Sequence, residues 1–258
     1  MKRFTKSILF FLGMGVHFFL GCSSKTEQTA LELKFTSTHY SYYYATGDIV
    51  QLDTLWMETH YNWIRHKLQL QHAPRLNYYK YRNKDHLKSS TGRSTNGFAE
   101  LGTLNFHTIW HPEGHENVHV LVLKEWGHPP ALFTEGIAVA LAPQAIYGFG
   151  NFREEPTWNG QKLDDIAVSL LQKQKVPELG VLVESDAFHG LSTDISYPIA
   201  GSFVCYLLKK FPVENLKQVF LGTSFFDSAE KLNAVFYHAY GVEISNIWDE
   251  WQQYLVDK

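Results

Sequence analysis

Hydrophobic and polar positions divide this chain into a strand-and-helix first half and a helical second half. Residues 32–44 are rich in Thr, Tyr and Phe, the composition of an extended strand, and Gly47-Asp48 punctuates them. Over residues 49–70, Leu52, Leu55, Trp56, Trp63 and Leu68 recur near helical spacing, which predicts an amphipathic helix stopped by Pro74. Residues 75–81 predict a second strand, 85–88 a short helix, 89–97 a Ser/Thr/Gly loop and 103–110 a third strand. Beyond residue 112, runs at 115–123, 131–141, 164–173, 201–210, 215–221 and 227–237 all read as helices. No internal repeat interrupts the pattern. The expectation is an α+β chain.

The N-terminus adds an address. Lys2, Arg3 and Lys6 precede an apolar run over residues 8–20, then Gly21-Cys22-Ser23-Ser24. That is the layout of an export signal, and the run is shorter than the ~20 residues a membrane-spanning helix needs. Phe19-Leu20-Gly21-Cys22 resembles the lipobox of bacterial lipoproteins, with Phe19 where Leu is usual. The resemblance implies a signal peptide over 1–21, lipidation of Cys22 and a location at the cell envelope, anchored to a membrane. A plain secreted protein and an uncleaved anchor remain as alternatives. A polar tether over 22–35 then leads into one folded domain, 36–258.

Composition excludes some functions without naming one. The chain has 258 residues, 45% hydrophobic and 15% aromatic, enough for a packed core. Its formal net charge of -3 offers no basic excess for a nucleic-acid backbone. Cys22 and Cys205 are the only cysteines; with Cys22 lipidated, Cys205 reads as a small buried hydrophobe rather than half of a disulfide.

Chemistry enters at Pro112-Glu113-Gly114, which introduces His115-Glu116-Asn117-Val118-His119. Pro112 suits the first turn of a helix. Residues four apart share a helix face, so His115 and His119 can present imidazole nitrogens to one ion. Glu116 stands one residue round, beside the ion without being a ligand, which suits a general base. A surface helix with two solvated histidines gives the same five residues, so a third ligand has to decide. After the break at Gly127-His128-Pro129-Pro130, Glu135 is the lone acid in an apolar run, 131–141. A buried carboxylate needs a cationic partner, and zinc serves, as would a salt bridge or a helix start. Two histidines, a glutamate and one open position form a catalytic zinc set. Gly136, Ala138, Ala140 and Ala142 predict close packing of this helix on the one before it.

His115-Glu-x-x-His119 followed by Pro129-Pro130 and Glu135-Gly136-Ile137-Ala138 resembles the gluzincin metallopeptidases, and more narrowly the bacterial peptidase MA-like domains. Tyr197-Pro198-Ile199-Ala200 is similar to that family's Tyr-containing helix start, and residues 241–251 to its closing helix. The resemblance covers about residues 36–258. It implies a zincin-like fold with a mixed α/β N-terminal lobe, a mostly helical C-terminal lobe and the metal in the cleft between them. It also implies one zinc per chain on His115, His119 and Glu135, a peptide or protein substrate, Glu116 as proton-transfer base and Tyr197 as oxyanion donor. Relatives often carry an acid four residues after the third ligand; here that place is Val139, and Asp164, Asp165 or a backbone carbonyl would have to orient the histidine instead.

Two functions follow from different classes: a zinc peptidase, or a catalytically silent envelope lipoprotein that uses the fold for binding or scaffolding. A deformylase-like activity is a distant third, because that chemistry expects a cysteine ligand before the helix. No obligate protein partner is predicted. His107, His111, His128, His189 and His238 read as packed or solvated side chains, with His189 the next donor after Tyr197.

Overall fold

A computed structural model describes residues 30–48, 53–143 and 152–258. The export signal, Cys22 and most of the tether lie outside the described residues. Residues 32–44 form two strands, not one: β1 (Leu31–Thr36) and β2 (Tyr40–Ala45) pair antiparallel. Residues 31–35, assigned to the tether, thus already belong to the sheet. The reversal between the strands is held from outside. Glu58 of the following helix accepts from Ser37 Oγ at 2.5 Å and from the His39 amide at 2.9 Å.

That helix is α1 (Thr54–Lys67), started by Asp53, whose side chain accepts from the Trp56 amide. It returns the chain to β3 (Leu76–Lys80), parallel to β2. Next come α2 (Lys84–Thr91), β4 (Gly97–Ala99) and β5 (Asn105–Thr108). The sheet order is β1-β2-β3-β5-β4, with β3 and β5 parallel and β4 antiparallel to β5 at the edge. Alternation assigns the faces. Tyr40, Tyr42, Tyr44, Leu76, Tyr78 and Phe106 are buried in the core. Tyr43, Tyr79, His107 and Phe98 stack ring on ring across the other face, with centroids 4.5–4.7 Å apart.

The helical half follows: α3 (His115–Trp126), α4 (Ala131–Ala140), the hairpin β6 (Thr157–Trp158) and β7 (Gln161–Lys162), then α5 (Leu163–Gln172), α6 (Leu179–Val183), α7 (Ser185–Gly190), α8 (Thr193–Lys210), α9 (Val213–Gly222), α10 (Ala229–Tyr240) and α11 (Ile244–Val256). One hydrophobic core runs through both halves, from Tyr40 to Leu255. The architecture is therefore mixed α/β, mostly helical, with a small mixed sheet.

The small residues after Glu135 serve α8 more than the α3 that the sequence suggests, although Ala142 does lie against Gly114 at the start of α3. The most extensive packing of α4 is against α8, not α3. A Cβ on Gly136 would lie 2.8 Å from the Ala200 carbonyl oxygen, and one on Gly201 would lie 2.5 Å from Val139 Cγ1. Among the described residues no helix is long and apolar enough to cross a membrane.

Candidate metal centre

α3 begins at His115, three residues later than Pro112 suggests, because Glu113 caps it. Glu113 Oε1 accepts from the His115 amide at 2.8 Å and the Glu116 amide at 3.3 Å, while Oε2 accepts from Thr108 Oγ1 at 2.8 Å. One buried carboxylate thereby ties the helix start to the end of β5 and complements the positive end of the helix. The sequence reading missed Glu113; an acid just ahead of a helical run was its only local signal.

His115 and His119 rise from the first turns of α3, and Glu135 meets them from α4. The His115 and His119 Nε2 atoms are 3.0 Å apart, and Glu135 Oε2 lies 3.2 Å from the first and 3.3 Å from the second. Among the described residues this is the one group of three or more His, Cys, Asp or Glu side chains arranged to hold an ion. Its size can be tested against zinc. Tetrahedral bonds of about 2.0–2.1 Å put ligand atoms about 3.3–3.4 Å apart, so the triangle needs to open by only a few tenths of an ångström. The donor set, two imidazole nitrogens and one carboxylate oxygen, also suits zinc. The residues fit the ion.

The electrostatics are those of acids and bases crowded out of water. Burial would lower the His115 pKa, but the Glu135, Glu116 and Glu113 carboxylates outweigh it and raise it to about 9. Burial would raise Glu135, yet the two imidazoles hold it well below the usual carboxylate range. For Glu116 burial wins: against the pull of both imidazoles, and helped by Glu113 and Glu135, its pKa rises to about 7. Burial and the Glu135 and Glu116 carboxylates push the Tyr197 phenol up, so it remains a donor.

These groups lie in a cleft of about 1300 Å³ walled by both halves of the chain. The edge strand β4 forms one side. Gly97 lets the strand pass close to the base, since a Cβ there would stand 3.1 Å from Glu116 Cγ and Oε1 and would press on that side chain. Tyr197, in the second turn of α8, forms part of the opposite side. Its ring stacks 5.9 Å from His115 and lies 5.3 Å from Trp158 at the tip of the β6–β7 hairpin.

The structure brings His115, Glu116, His119, Glu135 and Tyr197 into one cleft, and His128 joins its wall. His111 lines it too, on the side of the sheet, whereas the remaining candidates fall outside it. His189 packs between Phe188 and Phe225, and His107 sits in the aromatic stack on the sheet's outer face. His111 accepts the Asp53 amide at 2.8 Å, and His238 is exposed on α10. Cys205 is a free thiol beside the end of α4, its pKa pushed up to about 12 by burial. Asp164 does not orient a ligand histidine. It accepts from Ser202 Oγ at 2.6 Å and the Tyr254 hydroxyl at 3.1 Å, and it pairs with Lys258. His119 Nδ1 is buried with no hydrogen-bond partner among the described residues.

No protein-family model matches this chain, and no curated protein matches it.

Proposed function

We propose that this chain is a zinc-dependent peptidase with a zincin-like arrangement of its two halves. One observation carries the reading: two imidazoles and a carboxylate converge at zinc-ligand spacing, with the carboxylate Glu116 in the same cleft. A zinc ion held by His115, His119 and Glu135 would supply Lewis acidity, lowering the pKa of a water and polarising a carbonyl. Glu116 takes the proton of the attacking water on its carboxylate and returns it to the leaving amine. Burial raises the Glu116 pKa in the metal-free chain, in the direction that suits a carboxylate which must both take and return a proton. The Tyr197 hydroxyl donates to the oxygen on which charge develops, and its raised pKa keeps the proton on the phenol.

The cleft also favours a peptide as substrate. Among the described residues β4 pairs with β5 alone, and of the two carbonyls on its other edge Gly97's accepts from Thr95 Oγ1 at 2.9 Å. An extended peptide can add to such an edge as another strand. Export and attachment through Cys22 belong to the same proposal and would place the enzyme at a bacterial cell envelope.

A silent binding module is the second reading, and it has its own support. Among the described residues Nδ1 of His119 has no acceptor and Val139 supplies none, whereas a metal-bound histidine ordinarily gives its other N–H to one. Zinc analysis of the purified chain, together with hydrolysis of a peptide library, separates the two. About one zinc per chain, lost in His119→Ala, with metal-dependent cleavage supports the peptidase. Zinc without cleavage supports the module, and unchanged zinc content in His119→Ala refutes the ligand set.

A further inference from the structure

Asn117 stands between the two motif histidines, about 200° round the helix from His115, and it is fully buried. A buried amide needs partners, and this one has two. Its Oδ1 accepts from the Tyr40 hydroxyl at 3.0 Å, and its Nδ2 donates to His60 Nδ1 at 3.1 Å. His60, also fully buried, donates from Nε2 to the Leu141 carbonyl at 2.6 Å. A carbonyl only accepts, so the His60 proton sits on Nε2 and Nδ1 is the acceptor. Burial lowers the His60 pKa to about 4, so the ring stays neutral around neutral pH.

Each member belongs to a different element. Tyr40 is on β2, Asn117 on α3 and His60 on α1, while Leu141 caps the C-terminus of α4. One hydrogen-bonded chain therefore joins the helix that carries His115 and His119 to the helix that carries Glu135. The apolar neighbours of Asn117 on α3, Val118, Val120 and Val122, are buried too, but apolar contacts have no directional preference. Glu113 anchors only the start of α3 and makes no hydrogen bond to α4.

We infer that Asn117 and His60 are positioning residues that fix the rotation of α3 relative to α4, and so hold the three ligand atoms at metal-binding spacing; the inference rests on the metal reading above. The geometry is demanding. A side-chain tip about 6 Å from a helix axis moves about 1 Å when the helix turns by 10°. Metal sites work within about 0.5 Å of their productive geometry. A directional tether on the buried side of α3 supplies that constraint where Val139 and His119 Nδ1 do not.

The test measures cobalt(II) and zinc affinity by chelator competition, with the visible absorption of the cobalt form reporting ligand geometry. Asn117→Leu, and the double variant with His60→Leu that removes both partners at once, should bind ~10–100-fold more weakly with an altered cobalt spectrum. His60→Gln can donate to Leu141 and accept from Asn117, so it should stay near wild type. Leu232→Ala, a buried change on α10, should lower stability while leaving metal affinity and spectrum unchanged. Wild-type affinity and spectrum in a folded Asn117→Leu or double variant overturns the inference. Tyr40→Phe removes one hydroxyl and takes their place where the leucine variants do not fold: a weakened affinity with an altered spectrum supports the inference, and normal cobalt binding overturns it. A wild-type chain that takes up neither metal overturns the metal reading and this inference together, a result distinct from metal-binding variants that are unaffected.

Discussion

The raised pKa of His115 makes a two-sided prediction about pH. In the metal-free chain the folded-state value is about 9, against about 6.5 for an unfolded histidine. The folded state therefore holds a proton that the unfolded state has released. Its contribution to stability is complete below about pH 6.5 and is lost as pH rises through about 9, a total on the order of 3 kcal/mol. Zinc binding has the opposite slope, because the ligand must be an unprotonated imidazole. At pH 7 apparent affinity should lie about 100-fold below its value above pH 9, rising about tenfold per unit between. His60, His107 and His111 are lowered to about 4 by burial and act on the acid side of this window. Glu116, raised to about 7, adds a loss of the same sign that is nearly complete by pH 8, so the segment from pH 8 to 9 reports His115. Urea denaturation of chelator-treated protein at pH 7, 8 and 9 reads the first slope, and zinc titration over the same range reads the second. The denaturation arm contains no metal, so ionisation of a zinc-bound water cannot mimic it. His115→Gln should flatten that profile from pH 8 to 9. A wild-type stability that is constant from pH 8 to 9, or a zinc affinity that is, refutes the charge assignment.

Three substitutions probe separate parts of the argument. Glu116→Gln should keep zinc bound while peptide turnover drops ~10²-fold or more; wild-type turnover would move the base elsewhere. Tyr197→Phe keeps the ring stacked on His115 and deletes the donor, so kcat should fall by roughly 10–10³-fold with zinc content unchanged, and a normal kcat would leave Tyr197 a packing residue. Gly136→Ala should destabilise the chain by about 1–3 kcal/mol, although alanine is the better helix former, because its Cβ meets the Ala200 backbone oxygen. Equal or higher stability in urea would show that α4 and α8 are not in close contact.

Where composition and short-range spacing decided an element, the sequence was readable. The amphipathic helix that became α1 and the run that became α3 needed only nearest-turn information. The reversal inside residues 32–44 was not readable, because no Gly or Pro marks it. Ser37 and His39 turn there on a carboxylate, Glu58, about twenty residues further along the chain. The β6–β7 hairpin did carry a local signal, Asn159-Gly160 with both residues at left-handed φ, but its two-residue strands are too short for an alternation pattern. The main partner of α4, α8, was missed beside α3 for a related reason. Small residues announce that some backbone comes close without saying whose.

The same distinction runs through the site. His115, His119 and Glu116 follow from spacing on one helix, and Glu135 from the cost of burying a lone acid. Glu113, Asn117 and His60 do not, since each becomes legible only when distant elements meet; Asn117 finds its partners 57 and 77 positions away. Val139 shows why the two kinds of residue depend on each other. Position 139, one turn after Glu135, is filled by a side chain packed against Gly201, at a helix contact with no room for a Cβ on the other side. Val139 supplies no acceptor to His119, whose Nδ1 has no hydrogen-bond partner among the described residues. The opposite face of α3 carries the hydrogen-bonded chain through Asn117 and His60, the tether that we infer fixes the rotation of the helix.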